Sequence, residues 1–453
     1  MAATPTELKV TNAYSLDEAT RCLSCASGEA QDPVRLSFQK GDAVCFPRFD
    51  DQLQSFLRAL ARTKPRIDSV SIQPDFLSAI TVPATATRFC QAIGHIPSLL
   101  HLEWSPTGQR RIPLGVLHLT RVLEGARALE SLVCHWTVLE GRTSEFVQLA
   151  ASLHSHPTLQ KTLFKSCSLR VRTSETALCV GPILEALRTV PNLKELVLSG
   201  ALSHFRAQAE QAQVAPTLLP NVCRHPNLTN LTLQESINPG PCLVQTMADI
   251  RFSSSLTSLS LELGKARERE CILLGQVIRF NQRLASLSLG VYGVKAQFDC
   301  DPHLLHIIRA LEENSSMTNL TIRSGFCRYN YVPGSGIQKA ILSILETKNT
   351  TLMNLTFSPP PKMIDGFLSD LDFYLTLNRS GRKCLLENPD AKPTKWVDAL
   401  TDSSNNVSAL FYFLSRNPTL CKINRKRKDP STPLQGEVEE ASGQRPNKKR
   451  RTG

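Results

Sequence analysis

The sequence lacks the features of a secreted or membrane-embedded chain. Its first residues, MAATPTELKVTNAY, contain no charged segment followed by an apolar one. No uninterrupted apolar run reaches the roughly 20 residues that a membrane helix requires. We therefore expect a chain that is neither exported nor inserted into a membrane.

The sequence also lacks a recognisable metal-binding pattern. Its 14 cysteines are scattered, and the only close pair is Cys22 and Cys25. A zinc site needs a second such pair or two histidines, and neither follows at a suitable spacing. The pattern favours reduced, mostly buried thiols in a reducing compartment.

Motifs of catalysis are missing as well. The sequence contains no G-x-x-x-x-G-K-[ST] phosphate-binding loop, no G-x-S-x-G nucleophile turn and no H-E-x-x-H zinc helix. We expect a protein that is not an enzyme and that binds no cofactor.

The sequence does contain a repeat. The phrase Leu-x-x-Leu-x-Leu recurs with its first position 28 to 35 residues apart between Leu193 and Leu352. The stronger copies are Leu193/Leu196/Leu198, Leu228/Leu231/Leu233, Leu256/Leu259/Leu261, Leu284/Leu287/Leu289, Met317/Leu320/Ile322 and Leu352/Leu355/Phe357. Weaker copies are Ile67/Val70/Ile72, Leu99/Leu102/Trp104, Leu129/Leu132/Cys134 and TLQKTLFKSC near Leu159, which contains one inserted residue.

Each copy predicts one strand, and the residues between copies predict one helix. Apolar residues alternate inside the phrase, as in a half-buried strand. Between phrases the spacing becomes helical: Asp301 and Pro302 suit a helix start, and Leu304, Ile307 and Leu311 fall on one face. A residue that favours the end of a helix precedes several strands, namely Pro191, Pro226, Asn281, Asn314 and Asn349.

Strand-helix units of this kind cannot bury a core alone, so neighbouring units must stack. The phrases resemble leucine-rich repeats of the helix-containing, ribonuclease-inhibitor-like type. The resemblance implies an α/β solenoid, a horseshoe with a concave parallel β-sheet and convex helices. The asparagine that usually follows the third leucine is mostly missing; Gln234, Glu262 and Gly290 stand there.

The domain organisation follows from the extent of the repeat. We predict an N-terminal flanking region at 1–60, which holds an extra strand at Val34, Leu36 and Phe38, and repeats at 61–358. Short amphipathic segments at 359–421 predict a C-terminal helical cap, which stacked repeats need to cover their last core face. A disordered basic tail is predicted at 422–453.

Eight N-x-[ST] sequons could suggest glycosylation instead. Six share the register of the repeated phrase, so repetition of one structural phrase explains them without sugar. The eight asparagines are Asn227, Asn230, Asn314, Asn319, Asn349, Asn354, Asn378 and Asn406.

The concave sheet face is the predicted protein-binding surface. The second and third leucines face the core, so the residues between and after them face outwards. We select Glu195, Asn230, Thr232, Gln234, Ser258, Glu262, Asn319 and Arg323; Val197 shares this face, and weaker copies add His101, Glu103, Ser131, Val133 and His135. A competing interpretation is that these residues are polar filler on a solvated sheet.

A long insert, Gly325 to Gly336, breaks the repeat period. It contains Arg328, Tyr329 and Tyr331, and such residues are enriched where binding energy concentrates. They complete the set of candidate protein-binding residues.

The tail carries ten Lys and Arg against four Asp and Glu. It resembles a nuclear localisation signal, which implies an import receptor as partner and a location in the nucleus, or in nucleus and cytoplasm. Its two clusters are Arg425, Lys426, Arg427 and Lys428, and Lys448, Lys449, Arg450 and Arg451. Contact with nucleic acid phosphates and a purely solubilising role are the alternatives.

These features favour a non-enzymatic interaction scaffold with an unknown protein partner. One alternative is a nucleic-acid-associated protein that binds through its tail. The other is a regulator of a GTPase or of a ubiquitin ligase, since the GTPase-activating proteins that this repeat type resembles share the predicted fold.

Overall fold

A computed structural model describes most of the chain. The described residues are 6–11, 13–25, 34–39, 49–63, 66–80, 82–106, 112–165, 167–171, 177–199, 224–237, 248, 250–251, 253–263, 268–291, 301–324, 335–358, 366–388 and 391–418. The predicted tail at 422–453 and the insert residues Arg328, Tyr329 and Tyr331 lie outside them.

Within these residues, twelve strands form one parallel sheet in which spatial order follows chain order. Each leucine phrase supplies one strand, so the predicted repeat is confirmed. The strands are β1 Thr6–Val10, β2 Val34–Phe38, β3 Ile67–Ile72, β4 His101–Trp104, β6 Ser131–His135, β8 Lys161–Lys165, β10 Glu195–Ser199, β11 Asn230–Ile237, β12 Ser258–Leu263, β13 Ser286–Val291, β14 Asn319–Ser324 and β15 Asn354–Ser358.

Among the described residues, helices connect most successive strands of this sheet and pack side by side as a second layer. They are α1 Ala13–Cys25, α2 Phe49–Thr63, α3 Pro74–Ala79, α4 Pro83–Gly94, α5 Val116–Gly125, α6 Thr143–His154, α7 Ala177–Thr189, α8 Glu268–Phe280, α9 Asp301–Ala310 and α10 Ser335–Thr347. The fold is therefore the predicted leucine-rich-repeat horseshoe of the α/β class. The extra strand expected at Val34, Leu36 and Phe38 is β2, and the sheet begins one strand earlier than predicted, with β1.

The core lies between the two layers. The three positions of the phrase are buried in each of the five copies from Leu193 to Ile322, and the face of α9 that carries Leu304, Ile307 and Ile308 is buried against them. Removing one fully buried side chain of this size from water contributes about 1.5–3 kcal/mol. The alternation that predicted the strands thus also locates the core.

A second parallel sheet of three strands was not predicted. It contains β5 Ile112–Gly115, β7 Thr137–Gly141 and β9 Ser168–Val171, in that order. One residue, Trp136, separates β6 from β7, and its φ of 48° is left-handed. Its N–H donates to the Lys165 carbonyl at 2.8 Å, and its carbonyl accepts from the Ile112 N–H at 3.1 Å. The left-handed backbone conformation of Trp136 therefore lets the chain pass from the twelve-stranded sheet to the three-stranded sheet.

Buried asparagines connect successive repeats at the turn from helix to strand. Asn349 is representative: its Nδ2 donates to the carbonyls of Leu311 at 2.8 Å and Asn314 at 3.3 Å in the preceding repeat. Its Oδ1 accepts from the N–H groups of Thr351 at 3.1 Å and Leu352 at 2.8 Å. The buried asparagines whose Nδ2 donates to a carbonyl of the preceding repeat are Asn281, Asn314, Asn349 and Asn378. We call this series the asparagine ladder.

Histidine takes the asparagine position in two earlier repeats. His156 and His225, like the ladder asparagines of the repeats, lie three residues before the first leucine of their phrase. The His156 Nε2 donates to the Ala126 carbonyl at 2.8 Å, and the His225 Nε2 donates to the Val190 carbonyl at 2.6 Å. The same inter-repeat bond is therefore made by two side-chain types.

The ladder bears on three of the sequons. Asn314, Asn349 and Asn378 are buried, and the Nδ2 atom that would carry a sugar donates hydrogen bonds to backbone carbonyls. These asparagines thus have a structural role inside the folded repeat.

The predicted helical cap closes the C-terminal end. Its helices are α11 Phe367–Arg379, α12 Arg382–Glu387, α13 Pro393–Asp402 and α14 Val407–Arg416. Asn378 adds a last rung to the ladder by donating to the Leu352 carbonyl at 2.8 Å. The buried Arg382 donates to the carbonyls of Leu345 and Glu346 in the last turn of α10. A cation is favourable there because helix carbonyls point towards it.

Asn314→Asp tests the ladder. A carboxylate accepts hydrogen bonds but cannot donate, so two carbonyls lose their donor and a negative charge is buried. We expect the free energy of unfolding to fall by about 2 kcal/mol or more. Urea denaturation followed by circular dichroism measures it. The same substitution at exposed Asn230 is the control, with an expected loss below about 0.5 kcal/mol; equal losses would contradict the structural role.

Acidic pH should weaken the hydrogen bonds that His156 and His225 donate to the preceding repeat. Burial lowers the pKa of His156 and His225, so the folded chain binds fewer protons than the unfolded one below about pH 6.5. Their stabilisation is complete above that pH and decreases as the pH falls towards the folded-state pKa values.

We expect the urea midpoint to fall between pH 7.5 and pH 5.5, and to fall less in a variant with His156→Asn and His225→Asn. Some slope will remain, because burial also lowers the pKa of His118 and His135. Exposed His101→Asn is the control, and an unchanged slope in the double variant would contradict the assignment.

Candidate functional site

The strand register arranges the outward residues of the sheet in rows. The first row runs through Glu195, Asn230, Ser258 and Asn319. A central row consists of the outward residues two positions later on each strand, between the second and third leucines of the phrase. Its members are Glu103, Val133, Leu163, Val197, Thr232, Ser260, Ser288, Thr321 and Thr356.

The N-terminal half of this face contains an open depression of about 620 Å³. Charged side chains from successive repeats line it. They are Glu103, Glu130, Lys161, Lys194 and Glu195.

The charges in the depression are partly paired. The Lys161 Nζ lies 2.9 Å from the Glu195 Oε1, and the two side chains are 39% and 31% exposed. The Lys194 Nζ donates to the Gln160 Oε1 at 3.0 Å. A solvent-facing ion pair of this kind contributes about 0–1 kcal/mol to stability. These groups are therefore available to a ligand without loss of the fold.

An apolar strip begins in the depression at Val133 and continues beside it on the two following strands. Val133, Leu163 and Val197 occupy the central row on the neighbouring strands β6, β8 and β10. Val133 and Leu163 are half-buried, and Val197 is 8% exposed. Leu163 was missed in the sequence because its copy carries an inserted residue, which displaced the expected register. An apolar strip inside a charged border differs from polar filler.

His135 lies at the edge of the strip, at the end of β6. Partial burial is the main reason that its pKa lies below the usual value, while Glu103 raises it and Lys165 lowers it. The imidazole is therefore neutral at pH 7, and it adds a polar but uncharged border group.

The C-terminal half of the face is chemically different. Its central row consists of Thr232, Ser260, Ser288, Thr321 and Thr356. In the first row, the Asn354 Nδ2 donates to the Asn319 Oδ1 at 2.7 Å. Hydroxyl and amide groups of this sort suit a solvated sheet, so this half resembles the polar-filler interpretation.

The predicted residues fall into separate groups. Glu195, Asn230, Ser258 and Asn319 share the first row, and Thr232 lies in the central row. Glu262 and Arg323 lie in a third row but on opposite sides of Gly290. Gln234 on β11 lies opposite Ser199 on β10, and the Gln234 side chain is outside the described residues.

Other kinds of site were sought in the described part of the chain. No group of three or more His, Cys, Asp or Glu side chains there could hold a metal ion. No helix among those residues is long and apolar enough to cross a membrane. Cys90, Cys134, Cys167 and Cys271 are buried.

No model of a known protein family and no curated protein matches the sequence. Among solved structures, the leucine-rich repeat-containing protein LegL7 from Legionella pneumophila aligns over 75% of this chain and 97% of its own, with 14% identity and a TM-score of 0.39.

Two further solved structures align with this chain. Yeast Rad7, in complex with Elc1, covers 79% of this chain and 87% of its own, at 13% identity and a TM-score of 0.33. Leiomodin-1 actin-binding site 2 covers 39% of this chain and 96% of its own, at 20% identity and a TM-score of 0.31.

Proposed function

We propose that this protein is a non-enzymatic scaffold that binds a partner protein through the N-terminal half of its concave face. The apolar strip of Val133, Leu163 and Val197 inside a charged border is the observation that carries the proposal. Well-packed apolar centres with a polar rim are typical of protein interfaces. The helices between strands further support the ribonuclease-inhibitor-like subtype of the repeat.

We also propose that the basic tail directs the protein to the nucleus through an import receptor. Support comes from the sequence alone: two basic clusters separated by a polar linker. Nucleic acid binding by the same cations is the competing function, and it would be strongly salt-dependent.

Quantitative capture from cell extract tests the scaffold function. The bait variants are a concave triple substitution, Lys161→Ala, Lys194→Ala and Glu195→Ala, and a helix-layer control, Arg121→Ala, Glu185→Ala and Arg188→Ala. We expect at least one protein whose recovery falls about tenfold with the concave variant, since border charges steer and orient partners, and is unchanged with the control.

The same proteins should be recovered with a chain ending at Cys421 and after nuclease treatment. Recovery that depends only on the tail or on nucleic acid would contradict the scaffold function and favour nucleic acid binding through the tail.

Replacing Lys448, Lys449, Arg450 and Arg451 by alanine tests import. We expect the nuclear fraction of a fluorescent fusion to fall several-fold, because an import receptor recognises clustered positive charge. Alanine at Arg425–Lys428 is the matched comparison, since that cluster carries the same charge. An unchanged nuclear fraction in both variants and in their combination would contradict the tail assignment.

A further inference from the structure

We infer that the apolar strip accepts one amphipathic helix of the partner protein, laid across the strands with its N-terminus towards β4. The inference rests on the proposed scaffold function and specifies the partner segment. It follows from the spacing of the strip, from its place in the sheet and from the order of charges along it.

Spacing favours a helix over an extended segment. Neighbouring strands are about 4.8 Å apart, so Val133, Leu163 and Val197 span about 10 Å across the sheet. Helical positions i, i+4 and i+7 span about 10.5 Å along a helix axis. Alternate residues of an extended chain span about 13.6 Å over the same three contacts. Only the helix spaces its three contact residues at the distance that separates the three strip residues.

The position of the strip excludes strand addition. β8 pairs with β6 on one side and with β10 on the other, and β6 and β10 each have a further neighbour in β4 and β11. Their backbone groups are already used within the sheet. A partner here must bind through side chains, as a helix does in a groove.

The charges give the helix a direction. Glu103 and Glu130 lie at the β4 and β6 end of the strip, and Lys165 and Lys194 lie at the β8 and β10 end. Lys161 and Glu195 neutralise each other. A helix carries partial positive charge at its N-terminus and negative charge at its C-terminus. The arrangement therefore favours a basic N-terminal half over the acidic end and an acidic C-terminal half over the basic end.

A pair of designed peptides tests the inference with the full chain. Both are stapled helices with leucine at i, i+4 and i+7. The forward peptide has basic residues in its N-terminal half and acidic residues in its C-terminal half; the reversed peptide has the same composition with the halves exchanged. Fluorescence anisotropy should show the forward peptide binding about tenfold more tightly than the reversed one.

Substitutions locate the site. Leu163→Asp should abolish binding, whereas Ser260→Asp, on the same row in the hydroxyl-rich half, should leave it unchanged; urea denaturation checks that both variants are folded. A double variant with Glu130→Lys and Lys194→Glu leaves one charge of each sign at both ends of the strip, so it should bind the two peptides with equal affinity. If Leu163→Asp is unfolded, this loss of preference decides alone.

Equal affinity of the unsubstituted protein for both peptides, an unchanged preference in the double variant, or no binding up to about 1 mM would overturn the inference. The scaffold function fails separately, when capture of cellular proteins does not depend on Lys161, Lys194 and Glu195. If capture depends on them but neither peptide binds, the face binds a protein that does not present a helix.

Discussion

The structure depends on one hydrogen bond that recurs at five turns from helix to strand, those of His156, His225, Asn281, Asn314 and Asn349. A buried side-chain N–H of one repeat donates to a carbonyl left open at the end of the helix before it. A helix end leaves carbonyls without partners, and burying them unpaired costs about 1–3 kcal/mol each. The bond removes that cost and fixes the spacing between repeats. The leucines then fill a core whose dimensions are already set.

The same spacing shapes the binding face. Because β6, β8 and β10 are held in register, three apolar side chains that are 30 or more residues apart in sequence form a continuous strip. The border charges come from β4, β8 and β10 and from the residues that directly precede β6 and β10. The C-terminal half has the same geometry but carries hydroxyl groups, so the two halves differ in chemistry and not in architecture. This contrast is why the N-terminal half carries the proposed function.

The sequence predicted those structural features that depend on residues close together in the chain. Alternating leucines predicted each strand of the repeat from β3 onwards, and the helical spacing before Leu311 predicted α9. Asn281, Asn314 and Asn349 were recognised as helix ends, but their bonds reach a repeat about 30 residues away, which no local pattern reveals. The second sheet was missed because its strands are short and depend on the conformation of Trp136. At the site, Glu195 and Asn230 were selected from the sequence and share one row of the sheet, whereas Leu163 was hidden by a one-residue insertion.

The ladder has a direction. Asn281, Asn314, Asn349 and Asn378 each donate towards the repeat that precedes them in the chain. A ribosome releases the chain from its N-terminus, so the acceptor carbonyls of one repeat emerge before the donor that will bond to them. Each new repeat can dock on a finished surface as it leaves the exit tunnel. The ladder ends with Asn378 in α11, so each of its donors is synthesised after the carbonyls that accept from it.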